Sequence, residues 1–398
     1  MGNTTWIEYQ LGELLSYEQP TPYIVESTKY NDTYPIPVLT PGKSFILGYT
    51  NECSGIYDKL PVIIFDDFTT ASRHVTFPFK VKSSAMKILT ANPEIVNSKF
   101  IYYRMQIIDF DCSTHKRYWI QSYSKIKVHI PPLEEQRRIV ARIEELFSEL
   151  DAAVATLERT KEQLAVYRQA VLKEAFSGTF TRHKNLDVNL EWEIHSDLPE
   201  IPTTWKYISL SKLGELARGK SKHRPRNDKK LFEDGKYPFI QTGDVKNCGK
   251  YVKTYSKLYG EFGLQQSKLW PRGTLCITIA ANIAETGFLD IDACFPDSIV
   301  GFTPSDIVDS EYVRYFIEAS KIRLWAFAPA TAQRNINLTT LENLVIPYCS
   351  LDEQKCVVSE IESRLSVCDK IEETVNTALQ EAEATRQSIL KQAFAGDL

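Results

Sequence analysis

The sequence predicts an α+β protein in which two mixed modules alternate with two long helices. Three observations predict this fold class. Residues 135–178 recur at an offset of 218 as residues 353–396, with 15 identities in 44 ungapped positions, against roughly two to three expected by chance. Both copies carry an apolar residue at every seventh position. The residues before each copy mix short β-branched runs with amphipathic helical segments, so each module is predicted to be α+β.

Both copies of the repeat are predicted to be long helices that pair with each other. Neither copy contains proline, and Gly178 and Gly396 stand where helices commonly end. The seven-residue period is typical of coiled-coil pairing. Its positions are Ile143, Leu150, Leu157, Leu164 and Val171 in the first copy, and Ile361, Cys368, Val375, Ala382 and Ile389 in the second. Two unrelated core helices are the alternative, but the matched lengths, phases and ends favour pairing.

The duplication extends upstream in a weaker form, and it sets the predicted domain boundaries. Trp6 is echoed by Trp205, and residues 128–131 are echoed by residues 344–347. The predicted order is a first module at 1–129, a helix at 130–180, a linker at 181–204, a second module at 205–345 and a second helix at 346–398. Two prolines in the linker disfavour regular structure there.

Short elements can be predicted inside the modules. Apolar, β-branched runs predict strands at 60–65 and 274–279. Amphipathic spacing predicts helices at 99–108 and 311–320. A further strand is considered at 75–81.

Composition places the chain among ordinary globular proteins. Its 398 residues are 43% hydrophobic and 25% charged with a net charge of −4, and this length suggests two to three domains. No run approaches 18 apolar residues and no secretory pattern opens the chain. The eight cysteines form no CxxC pair, and Cys276 and Cys294 lie in apolar surroundings typical of buried thiols. We therefore predict a cytoplasmic protein without a membrane span.

The sequence lacks the motifs of a self-contained enzyme. It has no GxxxxGK[ST] phosphate loop, no GxGxxG after a strand, no HExxH and no GxSxG. No His or Cys set has metal-ligand spacing. Asp66 and Asp67 are adjacent, so on a strand they would point to opposite faces, and a turn or a lone functional Asp is favoured over a catalytic dyad. The chain is therefore predicted to be non-catalytic, with no metal site and no cofactor of its own.

The second module carries the clearest candidate binding residues. Residues 217–236 hold eight Lys/Arg against three Asp/Glu. Arg, Asn and Gln can read base edges, and Lys can reach phosphates. The candidates for DNA binding are Lys220, Lys222, His223, Arg224, Arg226, Gln241, Thr242, Gln265, Gln266, Gln333, Arg334, Asn335 and Asn337. A solvated charged face is the alternative, and a lectin-like module would need many of the same groups.

The first module is less basic, and its candidates are sparser. They are Thr69, Thr70, Arg73, His74, Lys80 and Lys82. If residues 75–81 form a strand, alternation places Lys80 and Lys82 on one face. An ordinary solvent-facing strand edge explains the same residues equally well.

These motifs resemble a known family along essentially the whole chain. The alternation of modules and helices, IPPLEEQ at 130–136, LDEQ at 351–354 and the two endings LKEAFSG and LKQAFAG resemble the specificity subunit of type I restriction–modification systems. The resemblance implies that the modules are target recognition domains, each reading one half of a bipartite, asymmetric site in double-stranded DNA. It implies that the two helices pack as an antiparallel coiled coil with internal pseudo-twofold symmetry, and that they set the gap between the half-sites.

The resemblance also implies partners. Two modification (methyltransferase) subunits would dock on the helices and bind S-adenosylmethionine, and a separate restriction (motor–nuclease) subunit would use ATP and Mg. Two other functions are kept as alternatives. A self-contained DNA-acting enzyme would need motifs that the sequence lacks, and a cytoplasmic coiled-coil adaptor linking two proteins would not need the Arg/Lys/Asn/Gln loops.

Overall fold

The computed structural model describes residues 6–42, 44–114, 116–182, 192–195, 198–327 and 335–398. They divide into two units that each contain one mixed module and part of both long helices. The first unit comprises Met1–Arg159 with Val375–Leu398, and the second comprises Thr160–Thr374. Each unit therefore contains one module together with a segment of each long helix.

The first unit is built on two small sheets. Its strands are β1 (Ile7–Gln10), β2 (Leu15–Glu18), β3 (Ile36–Leu39), β4 (Ile46–Thr50), β5 (Val62–Asp66), β6 (Ser72–Val75), β7 (Lys80–Val81), β8 (Met86–Ala91) and β9 (Lys127–Ile130). Its helices are α1 (Leu11–Leu14), α2 (Ser98–Met105), α3 (Tyr118–Gln121), the start of α4 (Leu133–Ala175) and the end of α11 (Leu351–Ala395). The sheets have the orders β2-β8-β5-β6 and β4-β3-β7, and β1 pairs with β9.

The predictions for the first module are mostly confirmed. The strand at 60–65 is β5, and the helix at 99–108 is α2. The single strand considered at 75–81 is wrong, because β6 ends at Val75 and β7 begins only at Lys80. Pro78 lies in the gap, where it cannot donate a ladder hydrogen bond.

The second unit has more strands. They are β10 (Trp192–His195), β11 (Leu198–Pro202), β12 (Lys206–Ser209), β13 (Gly214–Arg218), β14 (Tyr237–Phe239), β15 (Tyr251–Val252), β16 (Lys257–Tyr259), β17 (Leu269–Trp270), β18 (Leu275–Thr278), β19 (Thr286–Leu289), β20 (Ala293–Cys294), β21 (Ile299–Pro304) and β22 (Val345–Tyr348). The helices after α4 are α5 (Thr179–Arg182), α6 (Thr242–Lys246), α7 (Glu261–Gln265), α8 (Ser310–Ala319), α9 (Lys321–Phe327), α10 (Leu338–Glu342) and α11 (Leu351–Ala395). The predicted strand at 274–279 and helix at 311–320 are confirmed as β18 and α8.

The two modules share one topology. The sheet order β13-β21-β18-β19-β15 repeats β2-β8-β5-β6 with one added strand. The order β16-β14-β20-β17 repeats β4-β3-β7 in the same way, and β12-β22 repeats β1-β9. The pairs β3-β7 and β14-β20 are both parallel, whereas the other ladders of the shared frame are antiparallel. The duplication seen in the helices therefore includes the modules.

The predicted linker is partly structured, which corrects the sequence-based expectation. Strands β10 and β11 pair antiparallel, with Glu193 opposite Ile201. Residues 183–191 and 196–197 lie outside the described residues. The two prolines are accommodated because this two-stranded ribbon has free edges, where a missing N–H donor costs little.

Six of the ten predicted heptad positions are buried, and the other four, Leu150, Leu157, Leu164 and Ile389, are half-buried. In the first unit, Ile143, Val375 and Ala382 are buried. In the second unit, the buried seam residues are Val171, Ile361 and Cys368. Gly178 follows α4 with φ +78°, and a Cβ there would lie 2.4 Å from Cγ of Pro202, so no other residue fits without a shift.

Ion pairs give the direction in which the helices pack. In the second unit, Arg168 Nη2 lies 2.7 Å from Asp369 Oδ1, and Arg364 Nη1 lies 3.3 Å from Glu174 Oε2. The numbers rise along α4 while they fall along α11, so these segments are antiparallel. In the first unit Arg386 pairs with Asp151, and these residues are the repeat equivalents of Arg168 and Asp369.

A buried glutamine joins α4 to the first module. Gln136 is fully buried. Its amide oxygen accepts a hydrogen bond from the main-chain N–H of Asn97 at 2.7 Å, and its amide nitrogen donates to the carbonyls of Ile95 and Pro131 at 2.9 and 2.8 Å. Asn97 is in turn the N-cap of α2. One side chain therefore fixes the start of α4, the start of α2 and the chain between them.

The second unit repeats this arrangement with Gln354, which is also fully buried. Its oxygen accepts from the N–H of Asp309 at 2.8 Å, and Asp309 is the N-cap of α8. Its nitrogen donates to the carbonyls of Ile307 and Cys349 at 3.4 and 2.9 Å. The Glu-Gln pair that opens both copies of the repeat therefore has a structural role in each unit.

Replacing Gln136 by Ala would leave one buried N–H and two buried carbonyls without their partner. We expect the opening free energy of α2 to fall by about 1–3 kcal/mol. Amide hydrogen exchange over residues 98–105, measured by mass spectrometry, reports this quantity. Gln392→Ala in α11 is the matched control, because Gln392 is exposed, and its effect should stay within about 0.5 kcal/mol. Equal protection of the two variants would contradict the role of Gln136.

Candidate nucleic-acid interface

Most of the candidates in the second module lie in or around one loop after β13. We call residues 219–230 the basic loop. Gly219 N donates to Ile299 O at 2.9 Å, and a Cβ at Gly219 would lie only 2.3 Å from Phe295 O. On the other side of the loop, Lys222 N donates to Gln266 O at 3.1 Å. The basic loop is therefore held by main-chain contacts on two sides.

Two of the predicted residues maintain the shape of the basic loop. Arg224 Nη1 donates to Ser221 O at 2.6 Å and to His223 O at 2.8 Å. His223 Nε2 lies 2.8 Å from Asp228 Oδ2, and this hydrogen bond holds the pKa of Asp228 below its usual value. Arg224 and His223 thus form hydrogen bonds within the loop, although Arg224 is exposed to solvent, as Lys220 and Lys222 are.

The structure brings three of the predicted residues to one cavity of about 260 Å³. They are Arg226, Gln241 and Thr242. Other polar residues that line the cavity were not among the predicted contacts: Ser221, Asn227, Lys257 and Ser298. Ser221 and Asn227 belong to the basic loop, whereas no motif marks Lys257 or Ser298, which come from two other parts of the chain.

The remaining candidates of the second module are placed less closely together. Gln265 is exposed at the end of α7, and Gln266 contacts the basic loop through its main chain. Asn335 forms an isolated β-bridge with Ala280. Asn337 is the N-cap of α10, where its side chain accepts from Thr340 N at 2.8 Å. Gln333 and Arg334 lie outside the described residues.

The first module has a counterpart of this region. In the shared topology, residues 19–35 correspond to the basic loop, and residues 82–85 between β7 and β8 correspond to 295–298 between β20 and β21. Lys82 is exposed there, with Nζ 5.8 Å from the ring centroid of Tyr30. The Tyr30 hydroxyl is buried and has no hydrogen-bond partner among the described residues. Sequence reasoning identified Lys82 and missed Tyr30.

Thr69 and Thr70 form the turn between β5 and β6. Asp66 Oδ1 accepts from the N–H groups of Phe68 and Thr69 at 2.8 and 2.9 Å, and Thr70 adopts φ +58°. Asp66 is therefore a turn residue, as favoured from the sequence. Its neighbour Asp67 is buried and lies 3.3 Å from Lys87 Nζ.

Lys80 requires a correction. Its side chain is 3% exposed, and Nζ lies 2.9 Å from Glu52 Oε2 and donates to Ser54 O at 2.7 Å. The charge of Lys80 is thus neutralised inside the module and is not presented to a phosphate. The expectation that Lys80 and Lys82 share a solvent face is wrong, because Lys80 is buried against Glu52 whereas Lys82 is exposed.

Arg73 and His74 face the helices of the first unit. His74 Nε2 lies 3.0 Å from Ser98 Oγ, and burial lowers the pKa of His74. Arg73 lines a cavity of about 710 Å³ together with Asp151 of α4 and Arg386 of α11. The first-module candidates are therefore spread over separate surfaces, and Lys82 lies in the connection equivalent to residues 295–298, which border the basic loop in the second module.

None of the helices in the described part of the chain is long and apolar enough to cross a membrane. Within the same residues, no group of three or more His, Cys, Asp or Glu side chains is arranged to hold a metal ion.

Lys80→Ala would remove the cation that neutralises the Glu52 carboxylate, so we expect the free energy of unfolding of the first unit to fall by about 3 kcal/mol. Lys82→Ala should change it by about 0.5 kcal/mol or less, since Lys82 is exposed. Denaturant titration of both variants measures the difference, and similar losses for the two would contradict the assignment.

The same pair predicts a pH dependence. Burial raises the pKa of Glu52, but hydrogen bonds from the Ser27 N–H and Lys80 outweigh it, so the pKa is lowered. The pair therefore stabilises the fold above the ordinary carboxyl pKa, and this contribution disappears as pH falls through the lowered value. The difference between wild type and Lys80→Ala should shrink in acid. A constant difference from pH 7 to pH 3 would contradict this.

Comparisons with known proteins agree with this architecture. The family model described as type I restriction modification DNA specificity domain matches residues 3–163 and 202–381, so each match spans one module and part of one long helix. The chain is 31% identical over 389 residues to the EcoR124I/EcoR124II specificity subunit of Escherichia coli, covering 91% of this chain and 87% of that protein. It is 26% identical over 277 residues to the EcoBI specificity subunit of Escherichia coli, covering 68% of this chain and 58% of that protein.

A solved structure supports the fold independently. A chain from a study of complex assembly and conformational transition of the type I R-M system superposes with a TM-score of 0.70 at 20% identity. The superposition covers 99% of this chain and 98% of that chain.

Proposed function

Since this chain belongs to the type I restriction–modification DNA specificity family, we propose that it is a sequence-specific DNA-binding subunit whose two modules each read one half of a bipartite site. The observation that carries the proposal is the shared topology of the modules, which place different loops at the same position. One scaffold with two different surfaces suits a site whose halves differ in sequence.

The chemistry of these surfaces supports DNA as the ligand. The net charge of −4 gives the chain as a whole no attraction for DNA. Positive charge is instead concentrated in the basic loop, where Lys220, Lys222 and Arg226 are exposed. Arg226, Gln241 and Lys257 meet at one cavity and supply the donors and acceptors that base edges and phosphates need. A coiled-coil adaptor between two proteins would not need this arrangement.

The remaining parts of the proposal concern the complex. The chain is non-catalytic and acts in the cytoplasm. Its long helices dock two modification subunits, which bind S-adenosylmethionine, and restriction subunits that use ATP and Mg join the complex. The equivalent ion pairs of the two repeat copies support two equivalent docking surfaces, one for each modification subunit.

Selection of duplexes from a random pool tests the central proposal. The full-length chain, co-expressed with its modification subunit, should enrich a motif of two short defined halves separated by an unspecified gap. Binding should weaken steeply as salt rises, because phosphate contacts release counterions. An intact complex that enriches no motif at low salt would overturn the proposal.

The helices are proposed to set the gap between the half-sites. Four residues inserted after Arg159 lengthen α4 by about 6 Å. A matched insertion of four residues is made before Ala378 of α11. In the antiparallel register set by the Asp151–Arg386 pair, Ala378 is the position opposite Arg159, so both helices are lengthened at the same level. We expect selection to recover the same half-sites with a gap longer by about one to two base pairs, since one base pair occupies about 3.4 Å.

The control for this experiment is the insertion into α4 alone. It shifts one helix against the other and should disrupt their pairing. The complex should then lose affinity both for duplexes with the original gap and for duplexes with the longer gap. An unchanged gap in the doubly extended protein would show that the helices do not act as the spacer.

A further inference from the structure

Arg226 is oriented by an acidic side chain at the edge of the 260 Å³ cavity. Its Nη2 lies 2.8 and 3.1 Å from Oδ1 and Oδ2 of Asp297. Among the residues that the structure describes, no protein acceptor holds its Nε or Nη1. The side chain of Arg226 is 51% exposed. The guanidinium is therefore held through Nη2, which carries two N–H groups. The N–H of Nε or Nη1 that lies beside Nη2 can complete a planar donor pair for a ligand.

The group that orients Arg226 is itself fixed by the fold. The main-chain oxygen of Asp297 accepts from Arg218 Nε at 2.9 Å. Ile299 closes the turn around Asp297, since its N–H donates to Pro296 O at 3.1 Å and its carbonyl accepts from Gly219 N at 2.9 Å. This turn leads directly into β21, whose first residues are buried. The Arg226–Asp297 pair is thus anchored to the central sheet of the second module.

The paired carboxylate decides which part of DNA suits Arg226. A phosphate brought to this guanidinium would also meet the negative charge of Asp297, which opposes its binding. A guanine edge carries no net charge, and it presents two acceptors, O6 and N7, to a planar pair of N–H donors. An arginine held in one orientation is well suited to such bidentate contact, because little rotamer freedom remains to be lost.

We propose that Arg226, positioned by Asp297, reads a guanine in the half-site bound by the second module. The proposal rests on the proposed function, because it requires that this module contacts DNA. It adds a base identity and a pair of residues to that function. Arg226 is the specificity-determining residue, and Asp297 acts through it as a positioning residue.

Duplex selection with variants of the full-length chain in its complex tests this assignment. With Arg226→Ala, one guanine of one half-site should lose its preference over other bases by about 5- to 150-fold, while the other half-site is unchanged. The unchanged half-site also shows that the variant is folded. Arg226→Lys should lose the same preference although it retains the charge, because an ammonium group lacks the planar pair of donors.

Asp297→Asn tests the positioning role. This variant keeps the main-chain hydrogen bond to Arg218 and removes the charge that holds Arg226. The preference for the same guanine should fall, but by less than with Arg226→Ala. Arg272→Ala is the matched control, because Arg272 forms a similar pair with Asp290 at 2.8 Å in the same unit and does not line the cavity. It should leave every base preference unchanged.

Three results would overturn the assignment, and they have different meanings. If wild type selects a bipartite motif and both Arg226 variants retain every guanine, Arg226 does not read this base while the proposed function stands. If Arg226→Ala weakens binding to all duplexes evenly and Arg226→Lys restores it, the contact is to phosphate. In that case the slope of log K against log salt concentration should become shallower by about one for Arg226→Ala. If wild type itself enriches no motif, the assignment and the proposed function fail together.

Discussion

Both units depend on a buried amide that joins a long helix to its module. A buried polar group must be fully satisfied to be tolerated, and Gln136 and Gln354 each make three hydrogen bonds to main-chain groups. Each amide contacts the residue that caps the helix following the central sheet, which is α2 or α8. A shorter or longer side chain could not reach both sides at once. This requirement explains why the helix openings stayed alike while the modules diverged.

Periodic features were predictable from the sequence, and pairing partners were not. The seven-residue apolar period identified both long helices and their buried seam, because helix packing depends on local spacing. The charged candidates of the site were harder to rank. Lys80 resembles a surface cation until Glu52, which is 28 positions earlier, is seen beside it. Arg224 likewise resembles a free donor until its contacts with two loop carbonyls are known. Such partners depend on tertiary folding, so residue type alone cannot separate a free charge from an occupied one.

The equivalent loop positions of the two modules carry different chemistry. Between β7 and β8, Lys82 lies over the ring of Tyr30 and presents an exposed cation. Between β20 and β21, Asp297 presents a carboxylate, and the cation comes from Arg226 in the basic loop. The strands on either side keep the same pairing order in both modules. The sheets therefore fix where a contact is made, and the connections determine which chemical group makes it.

An ion pair joins the long helix to its module in both units, although different residues supply the cation. Glu144 and Glu362 are equivalent in the two helix copies. Glu144 is paired with Lys99 of α2, but the equivalent residue of α8 is Glu311, which would repel Glu362. Lys250 lies 2.7 Å from Glu311 and 3.0 Å from Glu362 and removes this repulsion. Burial alone would lower the pKa of Lys250, yet the two carboxylates raise it, so the cation stays charged. Each helix copy thus keeps its acid, and each module supplies its own cation from a different place in its sequence. The remainder of the module is then free to change without loss of the junction.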